Sequence, residues 1–355
     1  DPELLDIKFF DERGLDISVG RERSIERLFF REDFRRARME ETGALSFPEY
    51  DVEYYQGGIL SFLDRDAIRK RAPKIVIDYA YGSAATIFPA ILGRLGCEVI
   101  ALNAYMDETR ITKTAEEFQR SLRQLSEIVR ILGADLGFLL DTGAEKVFLV
   151  DNTGDVLTDD LALAVTALLV ARTHPPGRMG APINASSVLE ELVGPYGFQV
   201  VRSKIAPRAQ ADAAAQEGMA LVGDALGGFI FPRFQPAFDA MLASLKILEM
   251  LIQTDLTLHE AIRAVPQRTM VREQVPCPWE RKGMLMRTLI EATKDEQVEL
   301  LDGVKVRRRN AWAILYPDPD RPCFHVQAEA ATRAAAEQLV AEYREQLKGW
   351  LEDRP

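Results

Sequence analysis

A short polar turn from Asp141 to Lys146 holds the side chains best suited to binding a cation. Two apolar runs flank it, Leu136 to Leu140 and Val147 to Val150, and their length is typical of strands that present a loop at a sheet edge. Asp141 and Glu145 supply carboxylate oxygens, the ligands that Mg²⁺ prefers. Asp and Gly also favour turns for local reasons, so an ordinary turn is the alternative interpretation.

The loop from Tyr316 to Pro322 is a poor phosphate site by composition. Phosphate binding needs N–H groups, hydroxyls and cations that converge on one anion. Pro317 and Pro319 lack N–H donors, and the carboxylates of Asp318 and Asp320 repel phosphate. Arg321 is the one cation left to attract an anion.

Two further loops carry polar groups that could contact a ligand. Arg202, Ser203 and Lys204 follow the predicted strand Phe198 to Val201, with a plain loop role as the alternative. The Asp224 carboxylate could accept a hydrogen bond. Because glycine tolerates left-handed and close-packed conformations, the glycines around it are predicted to serve a backbone turn: Gly223, Gly227 and Gly228.

The cysteines and histidines show no metal or disulfide signature. The three cysteines are widely spaced, which predicts neither a disulfide framework nor a zinc site and fits a reducing cytoplasm: Cys97, Cys277 and Cys323. No histidine has a second one close to it, so no metal or catalytic role is expected for His174, His259 or His325. An acidic run is expected to form a solvated rim rather than a second cation site: Asp151, Asp155, Asp159 and Asp160.

The bulk composition is that of a globular protein with several domains. A chain of 355 residues is too long for one core and suggests two to four domains. Its net charge of −11 argues against nonspecific binding to nucleic acid or membrane surfaces, because polyanions would be repelled. The sequence has no apolar run of the length, about 18 residues, that a transmembrane helix needs.

The elements that must position these loops follow an alternating α/β order. Ile75 to Asp78, a glycine turn at Tyr81 to Ser83, a helix from Ala85 to Leu95 and a strand from Glu98 to Leu102 predict a βαβ unit with parallel strands. His174 to Gly177 breaks the chain. Short alternating strands beside helices then predict a C-terminal α+β domain. Further helices are predicted over 21–40, 114–132, 159–171, 238–253 and 329–351.

With these loops in this order, the chain resembles the alpha-D-phosphohexomutases, the phosphoglucomutase and phosphomannomutase family. That family carries Asp-Gly-Asp-Gly-Asp-Arg in its second domain, where three aspartates hold Mg²⁺ against a phosphoserine. Asp141 matches the first aspartate, Gly143 stands at the second, Glu145 replaces the third, and Lys146 replaces the arginine. The resemblance therefore implies the family fold with a degraded metal loop, and no cofactor is expected.

The other three loops are matched and altered in the same way. Arg202 to Pro207 keeps the start of Arg-Thr-x-Val-Gly-Asp, Gly223 to Gly228 stands at Gly-Glu-x-Ser-Gly-His, and Tyr316 to Pro322 stands at Arg-x-Ser-Gly-Thr-Glu-Pro. No residue matches the catalytic serine. The resemblance implies a vestigial cleft for a sugar phosphate or sugar nucleotide, lined by Lys146, Arg202, Ser203, Lys204, Gly223, Asp224, Gly227, Gly228, Tyr316, Asp318 and Arg321.

The resemblance also implies a domain organisation. The expected fold class is α/β, with tandem α/β/α domains followed by a C-terminal α+β domain like that of the TATA-binding protein. The predicted ranges are 1–66 for a remnant of domain I, 67–173 for domain II, 174–265 for domain III and 266–355 for domain IV. Ile7 to Phe10 resembles the stretch that follows the family's Ala-Ser-His-Asn-Pro, so the chain is expected to open downstream of the serine.

Phe29 to Arg36 and Pro278 to Arg287 look most like the mutase-like half of proteins fused to an N-terminal sugar nucleotidyltransferase of the mannose-1-phosphate guanylyltransferase type. The favoured hypothesis is a cytoplasmic, catalytically inactive module that regulates, binds ligand for, or assembles such a polypeptide, with a homo-oligomer as one form of assembly. The alternative is a working mutase that uses Mg²⁺ and whose serine lies upstream of Asp1.

Overall fold

In a computed structural model of the chain, residues 7–12, 14–111 and 113–352 are described. Three β-sheets follow one another along the chain, and each lies in one of the ranges predicted as domains II, III and IV. The tandem α/β domains and the C-terminal domain with an antiparallel sheet confirm the predicted fold class. The first six residues of the predicted domain I lie outside the described part.

Within the described residues, the N-terminal segment up to residue 50 is largely exposed and contains one helix. Helix α1 is Val19–Phe30, and a single 3₁₀ turn follows at Met39–Glu41. The predicted helix over 21–40 is therefore wrong beyond Phe30. Glu32 takes a left-handed conformation there, and the N–H groups of Glu32 and Asp33 return to the carbonyls of Phe29 and Leu28, which closes the helix.

Domain II contains a four-stranded sheet of order β2-β1-β3-β4. Strands β1, β2 and β3 are parallel and β4 is antiparallel to β3, so the predicted βαβ unit is confirmed. The long helix α5 starts at the N-cap Thr114 and buries an apolar stripe against β3 and β1. The elements are α2 Asp51–Phe62, α3 Arg65–Arg71, β1 Lys74–Asp78, α4 Ala84–Leu95, β2 Glu98–Leu102, α5 Ala115–Leu132, β3 Leu136–Leu140 and β4 Val147–Val150.

Domain III repeats the plan with a sheet of order β6-β5-β7-β8, in which only β8 is antiparallel. Helices α6 and α9 are apolar on nearly every side, and they pack on each other in the core shared with domain II. The elements are α6 Asp159–Thr173, β5 Arg178–Pro182, α7 Val188–Val193, β6 Gln199–Ser203, α8 Pro207–Ala214, β7 Met219–Gly223, β8 Phe229–Ile230, α9 Ala240–Thr254 and α10 Leu258–Arg263.

Domain IV has a five-stranded antiparallel sheet of order β10-β11-β12-β13-β9, with its last helix packed on β9 and β13. That helix begins at Arg333, because residues 329 and 330 still belong to β13. The three tryptophans of the chain all lie here, and Trp312 is buried. The elements are β9 Thr269–Pro276, α11 Trp279–Ala292, β10 Val298–Glu299, β11 Val304–Arg308, β12 Ala311–Pro317, β13 Cys323–Ala330 and α12 Arg333–Glu352.

None of the helices in the described ranges is both long enough and apolar enough to cross a membrane.

Candidate functional site

The turn between β3 and β4 is organised by the carboxylate of Asp141. Its Oδ1 accepts the backbone N–H groups of Glu145 at 2.7 Å and Lys146 at 2.9 Å. Burial raises the pKa of this carboxyl above its ordinary value. The Glu145 carboxylate forms an ion pair with Lys8. Asp141 therefore fixes the shape of the turn, as the ordinary-turn interpretation expects.

This turn meets the glycine loop of domain III directly. Lys146 and Gly228 form an isolated antiparallel bridge, and the N–H of Val147 donates to the carbonyl of Gly227 at 2.9 Å. The Lys146 ammonium lies 3.8 Å from Asp224 Oδ2. The loops of domains II and III are thus joined by backbone contacts with one loose ion pair between them.

The glycine loop is shaped by the same device as the turn. Asp224 Oδ1 accepts the N–H groups of Leu226 at 2.8 Å and Gly228 at 2.7 Å, and burial raises the pKa of the Asp224 carboxyl. Gly227 has a φ of +86°, and a Cβ on Gly228 would lie 2.8 Å from the Phe238 ring. The turn role predicted for these glycines fits this geometry.

A set of charged residues at the start of α6 lies near the junction of these two loops. Asp160 forms an ion pair with Arg272 of domain IV. Asp159 is partly buried beside it, and the pKa of Asp159 rises to about 6, first because of burial and then because of the neighbouring Asp160 carboxylate. Arg272 lies on β9, and sequence reasoning missed it because its partner is more than 100 positions away.

The expectation of a solvated acidic rim is wrong for three of its four members. Asp151 has no exposed surface and pairs with His259, whose Nδ1 lies 3.0 Å from Asp151 Oδ2. Asp159 and Asp160 are partly buried, and Asp155 alone is exposed. The prediction failed because charge in a sequence does not show which helix will cover it.

Arg202 is committed to the framework of domain III. All five of its N–H groups are used: by the carbonyls of Pro182, Ala185 and Ser186 and by the carboxylate of Glu190. Ser203 Oγ donates to the Lys204 carbonyl, and the Lys204 side chain is exposed. Of this predicted cluster, Lys204 is the cation placed to reach an incoming anion.

The loop between β12 and β13 is folded around Asp318. Its Oδ1 accepts the N–H groups of Asp320 and Arg321, both at 2.8 Å, while its Oδ2 lies 2.8 Å from His325 Nε2. Tyr316 stacks on the His325 ring, with 4.8 Å between centroids and 20° between planes. Burial raises the pKa of Tyr316 to about 12.

Lys282 holds the other side of this loop, and sequence reasoning did not single it out. Its ammonium donates to the carbonyls of Asp318 and Arg321 and lies 3.6 Å from the centroid of the Trp279 ring. The Arg321 side chain is exposed. The loop therefore presents the Arg321 side chain outward, while the Asp318 carboxylate is occupied within it.

Comparison with known proteins gives this architecture a family. Residues 53–154 match the profile described as phosphoglucomutase/phosphomannomutase, alpha/beta/alpha domain II, and residues 158–269 match the domain III profile of the same family. The chain belongs to the phosphoglucomutase/phosphomannomutase family. The domain III profile includes α6, which the sequence prediction had placed in domain II.

Relatives of this family match almost the whole chain. A protein of Methanopyrus kandleri named probable phosphoglucosamine mutase is 30% identical, covering 99% of this chain and 77% of its own. A Thermococcus kodakarensis protein named phosphoglucomutase/phosphomannomutase is 28% identical, covering 96% and 74%. The crystal structure of a phosphoglucomutase/phosphomannomutase family protein from Burkholderia thailandensis superposes with a TM-score of 0.81 at 19% identity, covering 97% and 73%, which shows the shared fold.

The metal that this family implies does not fit the residues of the β3–β4 turn. Gly143 has no side chain, Glu145 faces Lys8, and one oxygen of Asp141 already accepts two N–H groups. Mg²⁺ requires near-octahedral oxygen ligands, usually including one or two carboxylates. The carboxylate of Asp141, one oxygen of which already accepts two hydrogen bonds, does not supply these ligands.

Proposed function

We propose that this chain binds a phosphorylated hexose in the cleft where the loops of domains II and III meet, as part of a hexose-phosphate mutase. The observation that carries the proposal is similarity over 96–99% of this chain, and over 74–77% of the relatives, to proteins named probable phosphoglucosamine mutase and phosphoglucomutase/phosphomannomutase. Lys146 supports it, because its ammonium points to a junction of two domains and has only a 3.8 Å ion pair there.

In this proposal the phosphoryl-carrying serine belongs to sequence upstream of Asp1. Ser18 and Ser24 follow the Ile7 to Phe10 stretch, whereas the family's serine precedes it. A working mutase of this kind would use Mg²⁺, and the β3–β4 turn would need ligands from elsewhere to hold it. The residues of this chain would then bind and orient the sugar, with Lys146, Lys204 and Arg321 as the candidate cations.

A second candidate is a module that binds the sugar phosphate without transferring its phosphoryl group. Asp141 and Asp318 favour this candidate, because the Oδ1 atom of each already accepts hydrogen bonds from backbone N–H groups of its own loop. Such a module could regulate or assemble an attached nucleotidyltransferase, or form a homo-oligomer. The attachment of a nucleotidyltransferase to this chain rests on sequence resemblance alone. The relatives reported above carry mutase names and do not support it.

Turnover and binding measured on the same preparation distinguish the two candidates. The naturally expressed polypeptide is assayed with glucose 1-phosphate and glucosamine 1-phosphate, a hexose bisphosphate activator and Mg²⁺, and the same sugar phosphates are titrated by calorimetry. Turnover well above background supports the mutase. Binding without turnover supports the second candidate, and the absence of both contradicts each of them.

One substitution tests the proposed position of the phosphate. Lys146→Gln removes the cation at the junction of domains II and III, so we expect it to weaken sugar-phosphate binding about tenfold, the order of one charge-assisted contact. The matched control is Lys70→Gln, which changes an exposed lysine on α3. Equal affinities for the two variants would place the phosphate elsewhere.

A further inference from the structure

The hairpin loop of domain IV brings together three different kinds of metal ligand. A carboxylate oxygen of Asp318, the thiol of Cys323 and a ring nitrogen of His325 all lie within 4.8 Å of one another. Cys323 and His325 are two positions apart on β13, so their side chains project from the same face of the sheet. Asp318 reaches them from the loop that precedes the strand.

We propose that Asp318, Cys323 and His325 bind a divalent transition-metal ion, with Zn²⁺ as the preferred ion. Zinc is bound in proteins by cysteine sulfur, histidine nitrogen and carboxylate oxygen, and this set offers one of each. Neighbouring ligand atoms around a tetrahedral zinc lie roughly 3.4–3.8 Å apart, given metal–ligand distances of about 2.0–2.3 Å. Closing the present set to that geometry needs side-chain shifts of about 1 Å.

The surroundings hold these ligands in place. Asp318 is oriented by the N–H groups of Asp320 and Arg321, which bind its Oδ1 and leave Oδ2 turned toward His325. Tyr316 stacks on the imidazole, and Lys282 clamps two carbonyls of the loop. Such supporting contacts fix ligand geometry in metal sites. Three protein ligands leave a fourth position that a water molecule can occupy.

The protons balance in a simple way. On binding, the Cys323 thiol releases its proton to solvent and becomes the thiolate ligand. In the metal-free site His325 Nε2 donates its proton to Asp318 Oδ2. On binding, Nε2 releases that proton to solvent and Nδ1 takes one up, so the neutral imidazole coordinates through Nε2 with no net change in its protons. No oxidant or reductant is needed, and the bound ion offsets the negative charge of Asp318 and Asp320. The site does not depend on the proposed mutase function.

A second cluster, where domains II and III meet, provides the internal comparison. Asp151, Asp155 and His259 also lie within reach of one ion. Asp151 Oδ1, however, already accepts the N–H groups of Thr153 and Asp155 and the Thr153 hydroxyl, and this cluster has no sulfur ligand. Because thiolate favours zinc over Mg²⁺ or Ca²⁺, we assign the transition metal to the domain IV cluster.

Metal titration of the reduced, chelator-treated full chain tests the assignment. We expect one equivalent of Zn²⁺ to bind by calorimetry, and one equivalent of Co²⁺ to give a thiolate-to-cobalt charge-transfer absorption band. Cys323→Ser should abolish the band and lower Zn²⁺ affinity by at least about 100-fold, and His325→Gln should lower it similarly. Two controls should keep both the band and the affinity: Cys277→Ser, in the same domain, and His259→Gln, in the other cluster.

Two results would overturn the proposal: no stoichiometric Zn²⁺ binding at micromolar protein, or Zn²⁺ and Co²⁺ binding that Cys323→Ser leaves unchanged. Loss of binding in His259→Gln together with unchanged binding in Cys323→Ser would move the site to the cluster of Asp151, Asp155 and His259 and equally contradict the proposal. Cys323→Ser is the decisive variant because His325→Gln also removes the contact with Asp318. Circular dichroism melts without metal establish that each variant is folded.

Discussion

At the scale of single residues, three loop aspartates of this protein make the same kind of hydrogen bonds. In Asp141, Asp224 and Asp318, Oδ1 accepts two backbone N–H groups of the following loop. In the last two, Oδ2 faces a cationic or ring nitrogen of another residue, Lys146 or His325. The turn-forming half of this role is predictable, because Asp favours such loops locally. The partner of the second oxygen is set by tertiary structure.

Asp159 gives a prediction at this scale. Its pKa is raised to about 6, so the folded state holds a proton between pH 4 and 6 that the unfolded state releases, and stability falls as pH rises through that window. Asp159→Asn removes the buried charge and should stabilise the protein at pH 7.5 by about 1 kcal/mol after allowance for solvent screening. Thermal unfolding should show this gain vanish near pH 4.

The control for this prediction is Asp155→Asn, which changes an exposed carboxylate four positions earlier. Its stability should follow the wild type at both pH values. An Asp159→Asn variant that is less stable than the wild type at pH 7.5 would show that the carboxylate contributes favourably, for example to the start of α6.

At the scale of elements, apolar runs and glycine turns predict domain II well. The βαβ unit and the β3–β4 hairpin have the predicted types because local patterns and burial agree there. The helix predicted over 21–40 is wrong beyond Phe30. The charged residues of this stretch suit a helix throughout, but backbone capping ends α1 at Phe30. Strand β9 went unpredicted, since its side chains alternate weakly between buried and exposed.

Two glycines of domain II test how closely its loops pack. A Cβ on Gly82 would lie 2.6 Å from the Thr142 carbonyl oxygen, which is backbone and cannot move aside, so Gly82→Ala should cost about 1–3 kcal/mol. Gly93 lies inside α4 with nothing within 4 Å of its Cβ position. Gly93→Ala should therefore stabilise by about 0.5–1 kcal/mol.

Urea unfolding of the two variants beside the wild type measures both effects. The urea concentration at the unfolding midpoint should fall for Gly82→Ala and rise for Gly93→Ala, although both substitutions add one methyl group. If Gly82→Ala unfolds at the wild-type urea concentration, the loop after β1 is not held against the β3–β4 turn.

At the scale of the whole molecule, domain IV is fixed to domain III by a small set of buried contacts. The Lys305 ammonium donates to the Ile183 carbonyl at 2.7 Å and lies 4.0 Å from the centroid of the Trp312 ring. Glu329 accepts hydrogen bonds from Ser187 and from Trp312. The two pairs that join the domains, Lys305 with Ile183 and Glu329 with Ser187, are more than 100 positions apart in sequence. The order of the loops was therefore predictable, and the way the domains meet was not.

Lys305 makes this interface sensitive to pH. Burial, followed by the nearby Arg202, lowers the pKa of Lys305 to about 7. The unfolded chain keeps its proton up to a pH of about 10.4, so stability should rise with pH between 7 and 10. Lys305→Met lacks the titrating group, and wild type should gain stability relative to it across that range.

Urea midpoints at pH 7 and pH 9.5 measure this difference. Lys70→Met, at an exposed position, should behave as the wild type does at both pH values. Parallel pH profiles for wild type and Lys305→Met would mean that the buried ammonium stays protonated throughout.

The placement of Trp279, Trp312 and Trp350 in domain IV gives the molecule a built-in optical reporter. Excitation of indole yields fluorescence from that domain alone, while domains II and III contribute only tyrosine emission. Trp312 lies at the contact with domain III, so its emission should respond to separation of domain IV from domain III as well as to melting of the five-stranded sheet. A change in this spectrum therefore reports detachment or melting of domain IV, whereas unfolding confined to domain II leaves it unchanged.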